Sequence, residues 1–410
     1  MSPAIAARLP RLTSLDAWRG LIMVIMALDH VRDFIHAGAM TGSPEDLATT
    51  TPALFFTRWI THVCAPVFMF AAGAGAFMKV ERGGSRAQLS WFLLTRGLWL
   101  VVLELTVMRL AMNFSLDMSY PLLLLVLWAL GWSMVMMAAL IHLPRQALMA
   151  ISAILILGHN LFDGVRADTL GAWAPLWNVL HQQGVFFLGG VPVVTAYPLL
   201  PWVGVMAAGF CFGPVLLMEP AVRRRAMVTT GLVLCGAFLV LRTFNLYGDP
   251  SPWAFQPDWA MSVVSFLRAT KYPPSLIFLL MTMGPALLVL AWMDRGSGNG
   301  AQGSGGAGRW LRPLVVIGRV PLFYYVVHFW LIHVVASLLA LARYGSASLD
   351  WLFMPLPSMG GAAAVFPPGF GYSLPATYLV WAAVVLAMYP LCRWFAGLKA
   401  HRTGWWLGYL

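Results

Sequence analysis

The sequence predicts an all-α fold, a polytopic membrane helix bundle of about ten transmembrane helices with both termini cytoplasmic. Three observations predict it: the composition, the spacing of apolar windows, and the alternation of charge between them. Of 410 residues, 60% are hydrophobic and only 10% charged, with a mean hydropathy of +0.77, whereas soluble proteins carry roughly 25% charged residues. Windows of about 20 apolar residues, the length that crosses a bilayer core, fall near 15–36, 54–79, 91–112, 121–141, 147–162, 198–218, 226–245, 273–293, 313–341 and 375–397. The segments between them alternate in charge. One set holds Arg8/Arg11, Lys79/Arg82/Arg86, Arg145, Arg223-Arg224-Arg225, Arg295/Arg309/Arg312 and Lys399/Arg402. The other holds Glu45/Asp46, Asp117, Asp163/Asp168, Asp249/Asp258 and Asp350. About 18 of the 26 Lys and Arg residues fall on the first side and about 8 on the second, the bias of cytoplasmic over outer loops. Unbroken alternation requires an even number of spans.

The net charge of +11 follows from those basic loops and calls for no nucleic-acid partner; the partner implied is the lipid bilayer. Met1 to Pro10 is short and basic, and no small-residue cleavage site follows, so no removable signal peptide is expected. Cys64, Cys211, Cys235 and Cys392 lie in apolar segments without CxxC spacing and read as small buried hydrophobes. No HExxH-like spacing is present, and no metal is expected.

The first span carries the most information. At about 100° per residue, Asp29, Arg32, Asp33 and His36 fall at i, i+3, i+4 and i+7 on one face. Asp16, Arg19, Met23, Met26 and His30 share the neighbouring strip, and the opposite side (Gly20, Leu21, Val24, Leu28, Val31, Ile35) is free to meet lipid. Ionisable side chains on a spanning helix are costly and turn toward a protein interior or a wet cavity. Three bland alternatives stand beside that reading. Asp16 suits the first turn of any helix, Arg19 suits a basic anchor, and Asp29, Arg32 and Asp33 suit a purely structural ion network.

The second span runs inward from Thr51 and carries Arg58 one turn above His62. The third runs outward to Arg109 and Asn113, with Glu104 deeper. Of the spans that follow, the fifth is short. The eighth opens on Lys271-Tyr272-Pro273-Pro274-Ser275, where two prolines set an extended entry and then a helix start. The stretch Gly296 to Gly308 is Gly/Ser-rich and reads as a flexible linker. The chain therefore divides into a catalytic membrane core over 1–295, a Gly-rich cytoplasmic linker over 296–309, and two last helices over 310–410 packed on the same bundle. The ninth span passes Arg319, Tyr324, Tyr325, His328 and His333, and the tenth closes the bundle. The loops near 163–197, 246–272 and 343–374 are long enough to be lid-like.

Several helices thus aim His30, His36, His62, Arg32, Arg109, Lys271, Tyr272, Tyr324 and His328 at one half of the bundle. A neutral imidazole beside a carboxylate, Asp29 or Asp33, can take a proton from an attacking hydroxyl or amine; equally, the same groups can relay protons in a carrier.

Ser14-Leu-Asp-Ala-Trp-Arg-Gly20 followed by Met26-Ala-Leu-Asp-His30 resembles the opening of the heparan-alpha-glucosaminide N-acetyltransferase family, within the wider group of transmembrane acyltransferases. Pro66-Val-Phe-Met-Phe-Ala-Ala-Gly73, Tyr197-Pro-Leu-Leu-Pro-Trp-Val-Gly204, Thr270-Lys-Tyr-Pro-Pro-Ser275 and Gly318-Arg-Val-Pro-Leu-Phe-Tyr-Tyr-Val-Val-His328 are similar to its bacterial branch, in the same order. The resemblance implies a multi-pass protein of the bacterial cytoplasmic (inner) membrane. It implies transfer of an acyl group, typically acetyl, from cytoplasmic acyl-CoA (acetyl-CoA) to a sugar or glycan acceptor on the outer face. It leaves room for a homodimer. It makes His30 the base, with Asp29 or Asp33 orienting it. It puts Arg32, His62, Arg109, Lys271, Tyr272, Tyr324 and His328 around the acceptor, and Asp16, Arg19 and Arg319 at the donor entrance. In the lysosomal enzyme an asparagine matches His30 and the catalytic histidine lies in the following loop, so the base is left between His30 and His36. A proton-coupled carrier, or a protein that handles glycans or lipids without acyl transfer, is the alternative.

Overall fold

The computed structural model describes residues 11–295, 306–402 and 404–409. The stretch expected to form the linker lies largely outside these residues, as does the basic Met1–Pro10. The chain is mostly helical. The helices that position the site are α1 (Thr13–Ile35), α2 (Pro52–Glu81, with a 3-10 turn at Ile60–Val63), α3 (Arg86–Asn113), α4 (Val126–Leu140), α5 (Arg145–Leu157), α6 (Leu199–Leu216), α7 (Pro220–Thr243), α8 (Trp259–Leu267), α9 (Leu276–Asp294), α10 (Gly306–Gly318), α11 (Pro321–Tyr344) and α12 (Leu374–His401). Among the described residues, seven helical segments are long and apolar enough to cross a membrane: α2, α3, α6, α7, α9, α12 and the segment Pro321–Trp351 that contains α11.

Four expected spans differ. The charges of α1 keep it out of the apolar seven, and α4 and α5 are shorter apolar helices. The window 121–141 begins as a strand, β1 (Leu122–Leu124), which pairs in parallel with β3 (Val191–Thr195); β2 (Gly184–Leu188) completes the sheet antiparallel to β3. The all-α expectation is therefore corrected by this small sheet. Its hairpin turns at Gly189-Gly190, both at positive φ, the geometry of a tight two-residue turn that glycine adopts without a Cβ penalty. The window 313–341 is two helices. Val320 leaves helical geometry (φ −132°, ψ 50°) and Pro321 starts α11, where its missing N–H costs nothing.

The side of α1 expected to meet lipid is buried. Leu28, Val31 and Ile35 are covered, and the carbonyl of Val24 accepts from Trp381 Nε1 of α12 at 2.8 Å. Helix α1 packs against α2, α9, α10, α11 and α12, so it is the axis of the bundle. Close approach to α10 depends on absent side chains, the usual device where helices meet without a hydrophobic drive between them. A Cβ on Gly20 would lie 1.9 Å from the Leu314 carbonyl oxygen, and one on Gly318 would lie 1.8 Å from that of Asp16. Gly20→Leu is expected to displace α10 and cost upwards of about 1–3 kcal/mol, the scale of overpacking. The check is the fraction of solubilised protein eluting monodisperse, compared with Gly236→Ala, whose Cβ would meet open space.

At the Asp16 end of α1, Ser14 Oγ donates to Asp294 Oδ1 (3.0 Å), which with Oδ2 also receives Arg223 from α7 at 3.0 Å. Arg223, the first of the Arg223–Arg225 run, is thus a buried tie between α7 and α9. At the His30 end, the segment after α11 folds back over α1. Ala37 N donates to Tyr372 O (3.0 Å), Tyr372 N to Ile35 O (2.7 Å), and Ser358 Oγ to Asp33 O (2.5 Å).

Candidate active site

A cavity of about 800 Å³ opens at the His30 end of α1. Six of the expected residues line it: Asp29, His30, Arg32, Asp33, Lys271 and Tyr272. Its rim comes from the turn after α1 (Met40 to Glu45) and from Pro357 to Gly361, so the long loop after α11 does cover the site.

Histidine 30 is held by a histidine. His30 Nδ1 lies 2.7 Å from His328 Nε2, and His328 Nδ1 lies 2.9 Å from the Tyr324 carbonyl oxygen. A carbonyl can only accept, so His328 carries its proton on Nδ1 and presents a lone pair on Nε2. His30 must then donate from Nδ1, which leaves its own Nε2 with a lone pair. Helix α11 thereby fixes the tautomer of a residue on α1. This corrects the expectation that Asp29 or Asp33 orients the imidazole: the hydrogen-bond partner of His30 is His328.

The two aspartates serve the arginines instead. Arg32 Nη2 donates to Asp29 Oδ1 (3.0 Å) and Asp33 Oδ1 (2.6 Å), and Arg58 Nη1 donates to Asp29 Oδ2. Arg58 continues to Glu45 Oε1 (3.3 Å) and to the Tyr272 hydroxyl (3.4 Å), while His62 Nε2 donates to Glu45 Oε1 at 3.0 Å. Burial pushes the Glu45 carboxyl up, but the His62 hydrogen bond and the Arg58 charge outweigh it and hold the group well below the usual carboxylate range. Burial likewise raises the Tyr272 phenol, yet Lys271 and Arg58 bring it below its ordinary value. Arg58 and Glu45 line the cavity and join loop, α1, α2 and the Lys271 segment. Arg58 and His62, four apart on one turn and facing a common acid, were the available signal; Glu45 itself looked like an ordinary loop acid.

Lys271 and Tyr272 are set by their own loop. Asp249 accepts from Thr270 N (2.9 Å), Thr270 Oγ1 (2.8 Å) and Ser275 Oγ (2.8 Å), and Ser275 Oγ caps α9 through Phe278 N at 3.0 Å. The Tyr272–Pro273 peptide is cis. Lys271 is 5% exposed, and its ammonium lies 5.1 Å from the Tyr272 ring centroid. Among the described residues it makes no ion pair with a carboxylate.

Other expected residues stand apart from the cavity. His36 is the buried junction after α1, bridged to Tyr372. His62 sits behind Glu45. Arg109 ties down the turn after α3, donating to Asp117 O (2.5 Å) and Tyr120 O (3.1 Å). Tyr324 is fully buried and stacks on His328 at 5.2 Å; its neighbour Tyr325 is the one that lines the cavity.

A second cavity, of about 330 Å³, lies toward the Asp16 end between α1, α2, α3, α4 and α11. Among the described residues its walls are mostly apolar, with Arg19, Lys79 and Arg96 as the cations. Lys79 Nζ sits 3.0 Å above the Phe92 ring, and Arg19 Nη2 donates to Ala71 O at 2.7 Å. Among the described residues none of the three pairs with a carboxylate, so their charge is available to an anion. Asp16 is engaged by Arg11 (2.5 and 3.0 Å) and lines neither cavity, as is true of the exposed Arg319. In the sequence Lys79 reads only as one of the basic loop residues, and nothing there singles out Arg96. Among the described residues no group of three His, Cys, Asp or Glu side chains is arranged around a metal position.

Comparison with known proteins adds one finding. The family model for heparan-alpha-glucosaminide N-acetyltransferase, catalytic, matches residues 11–243, more than half of the chain. That match spans α1 to α7 and ends before Lys271 and His328. No curated protein matches the chain.

Proposed function

The chain belongs to the heparan-alpha-glucosaminide N-acetyltransferase catalytic family, and from that premise we propose that it moves an acetyl group from acetyl-CoA to a sugar or glycan acceptor across a bacterial cytoplasmic membrane. In this reading both termini are cytoplasmic, the Arg19 cavity admits the donor, and the His30 cavity holds the acceptor on the outer face. The helices after the linker belong to the same catalytic unit, because His328 completes the site.

The observation that carries the reading is the chain of hydrogen bonds from Tyr324 O through His328 to His30. It leaves a lone pair on His30 Nε2 in a residue that lines the larger cavity. A base so held can take the proton of an acceptor hydroxyl or amine as that atom attacks the thioester carbonyl. The C–S bond then breaks as the new C–O or C–N bond forms, and the proton passes to the CoA thiolate. His328, neutral and fixed by Tyr324 O, keeps the imidazole in the productive tautomer, the role a carboxylate has in other acyl-transfer sites.

The smaller cavity suits a CoA ester by its donor set, with three cationic side chains for phosphates and an apolar remainder for the pantetheine arm and acyl group. Lys79→Ala and Arg96→Ala are each expected to raise KM for acetyl-CoA about tenfold or more, with kcat little changed, as loss of charge-assisted binding requires. Steady-state kinetics with varied acetyl-CoA measures it. The function itself is tested by incubating purified protein with labelled acetyl-CoA and a panel of amino sugars and neutral sugars. Label on a sugar supports it. Uptake of a solute into vesicles with no acyl transfer would replace it with a carrier.

A further inference from the structure

The two cavities are neighbours, and among the described residues only Val126 and Tyr325 line both. Val126 is the first residue of α4, and that helix start is held firmly. Glu104 of α3 accepts from Leu127 N (2.8 Å) and Trp128 N (3.2 Å), two amides that a helix start otherwise leaves without partners. Moving Val126 means unmaking this buried cap. Tyr325 differs, because a side-chain rotation on α11 moves it while the helix stays in place. Its ring stands edge-on to His30 (centroids 6.0 Å apart) and His328 (5.7 Å), and 5.3 Å from Phe329. Tyr325 therefore lines both cavities, and its ring is a direct neighbour of the His30–His328 pair.

We propose that Tyr325 is the partition between the two cavities, a positioning residue that keeps water of the larger cavity from the smaller one and is passed by the acyl group at transfer. The larger cavity is lined by charged groups and suits water, whereas the smaller is lined mostly by apolar side chains beside its cations. A standing opening between them would expose whatever occupies the apolar cavity to water, and exclusion of water is what protects a reactive group from hydrolysis. The assignment of donor and acceptor to the two cavities rests on the proposed function, whereas the partition itself does not.

The experiment has two arms. In the first, full-length protein with its four cysteines replaced by alanine carries Ala72→Cys, a position lining only the smaller cavity. It is reconstituted in vesicles and exposed, from the face on which the His30 cavity opens, to a small charged methanethiosulfonate. Ala72→Cys is expected to stay unmodified with Tyr325 or Tyr325→Phe and to be modified at least about tenfold faster with Tyr325→Ala, because alanine lacks the ring that closes the passage. Equal modification with all three side chains would overturn the partition. In the second arm, acetyl-CoA consumption is split into transfer and hydrolysis. Water then takes the acceptor's place, the C–S bond breaks as a C–O bond to water forms, and acetate and CoA thiol result. Tyr325→Ala is expected to raise hydrolysis per transfer event by about tenfold, while Tyr325→Phe retains the wild-type ratio. An unchanged ratio in Tyr325→Ala contradicts the proposal. If the wild-type protein consumes no acetyl-CoA, the proposed function fails, and the first arm still decides the partition. Should Tyr325→Ala fail to fold, Tyr325→Leu carries both arms.

Discussion

Replacing His30 by alanine is expected to lower kcat for acyl transfer by about 10²–10⁴-fold, the usual contribution of a positioned general base, with KM for the donor little changed. The residue lines the larger cavity, away from the Arg19–Lys79–Arg96 cluster. His328→Ala removes the acceptor of the His30 Nδ1 proton and frees the ring to rotate and exchange tautomers. Its loss should be smaller than that of His30→Ala. The double variant should be no worse than His30→Ala alone, because groups that act as a unit do not add. Wild-type rates from His30→Ala would remove it from the mechanism and return attention to His36.

The largest expected effect on stability is at Asp29. Its carboxylate is shared by Arg32 and Arg58, whose side chains are 4% and 11% exposed. Asp29→Ala leaves two buried guanidinium groups without their common counter-ion, and breaking such a pair from one side costs about 3–5 kcal/mol. Against a total stability of about 5–15 kcal/mol that is a large share. Thermal unfolding of the solubilised protein should show a strong drop for Asp29→Ala. Asp33→Ala should show a smaller one, since among the described residues the Asp33 carboxylate pairs with Arg32 alone and its side chain is 28% exposed. An Asp29→Ala protein with unchanged thermal stability and no activity would assign Asp29 to the chemistry instead of the scaffold.

Much of this site was legible in the sequence because helical periodicity carries it. The spacing of Asp29, Arg32 and Asp33 placed them together, and the ionisable end of α1 marked the cavity. Lys271 and Tyr272 could be named because a pair of prolines fixed where α9 begins. Which group touches which was not legible. The His30–His328 bond joins residues 298 apart in sequence, and periodicity orders residues within a helix without setting the rotation of one helix against another. The same gap explains the choice of Tyr324 over Tyr325. Adjacent residues on a helix point about 100° apart, and only the packing of α11 on α1 and α3 decides which faces the cavities. Windows of hydropathy missed the β1–β3 sheet, since the Leu run at 122–125 is equally apolar as strand or helix. The burial of α1 on every side was hidden by Gly20 and Gly318, whose meaning appears only where Leu314 and Asp16 come against them.

The most direct test of the account is a sided transfer assay. Protein in sealed vesicles is supplied with labelled acetyl-CoA only on the face where the Arg19 cavity opens and with acceptor sugars only on the His30 face. Labelled, acetylated sugar is expected on the His30 face, and its formation is abolished by His30→Ala. Transfer that occurs only when both substrates share one face, or sugar carried across unmodified, would contradict it.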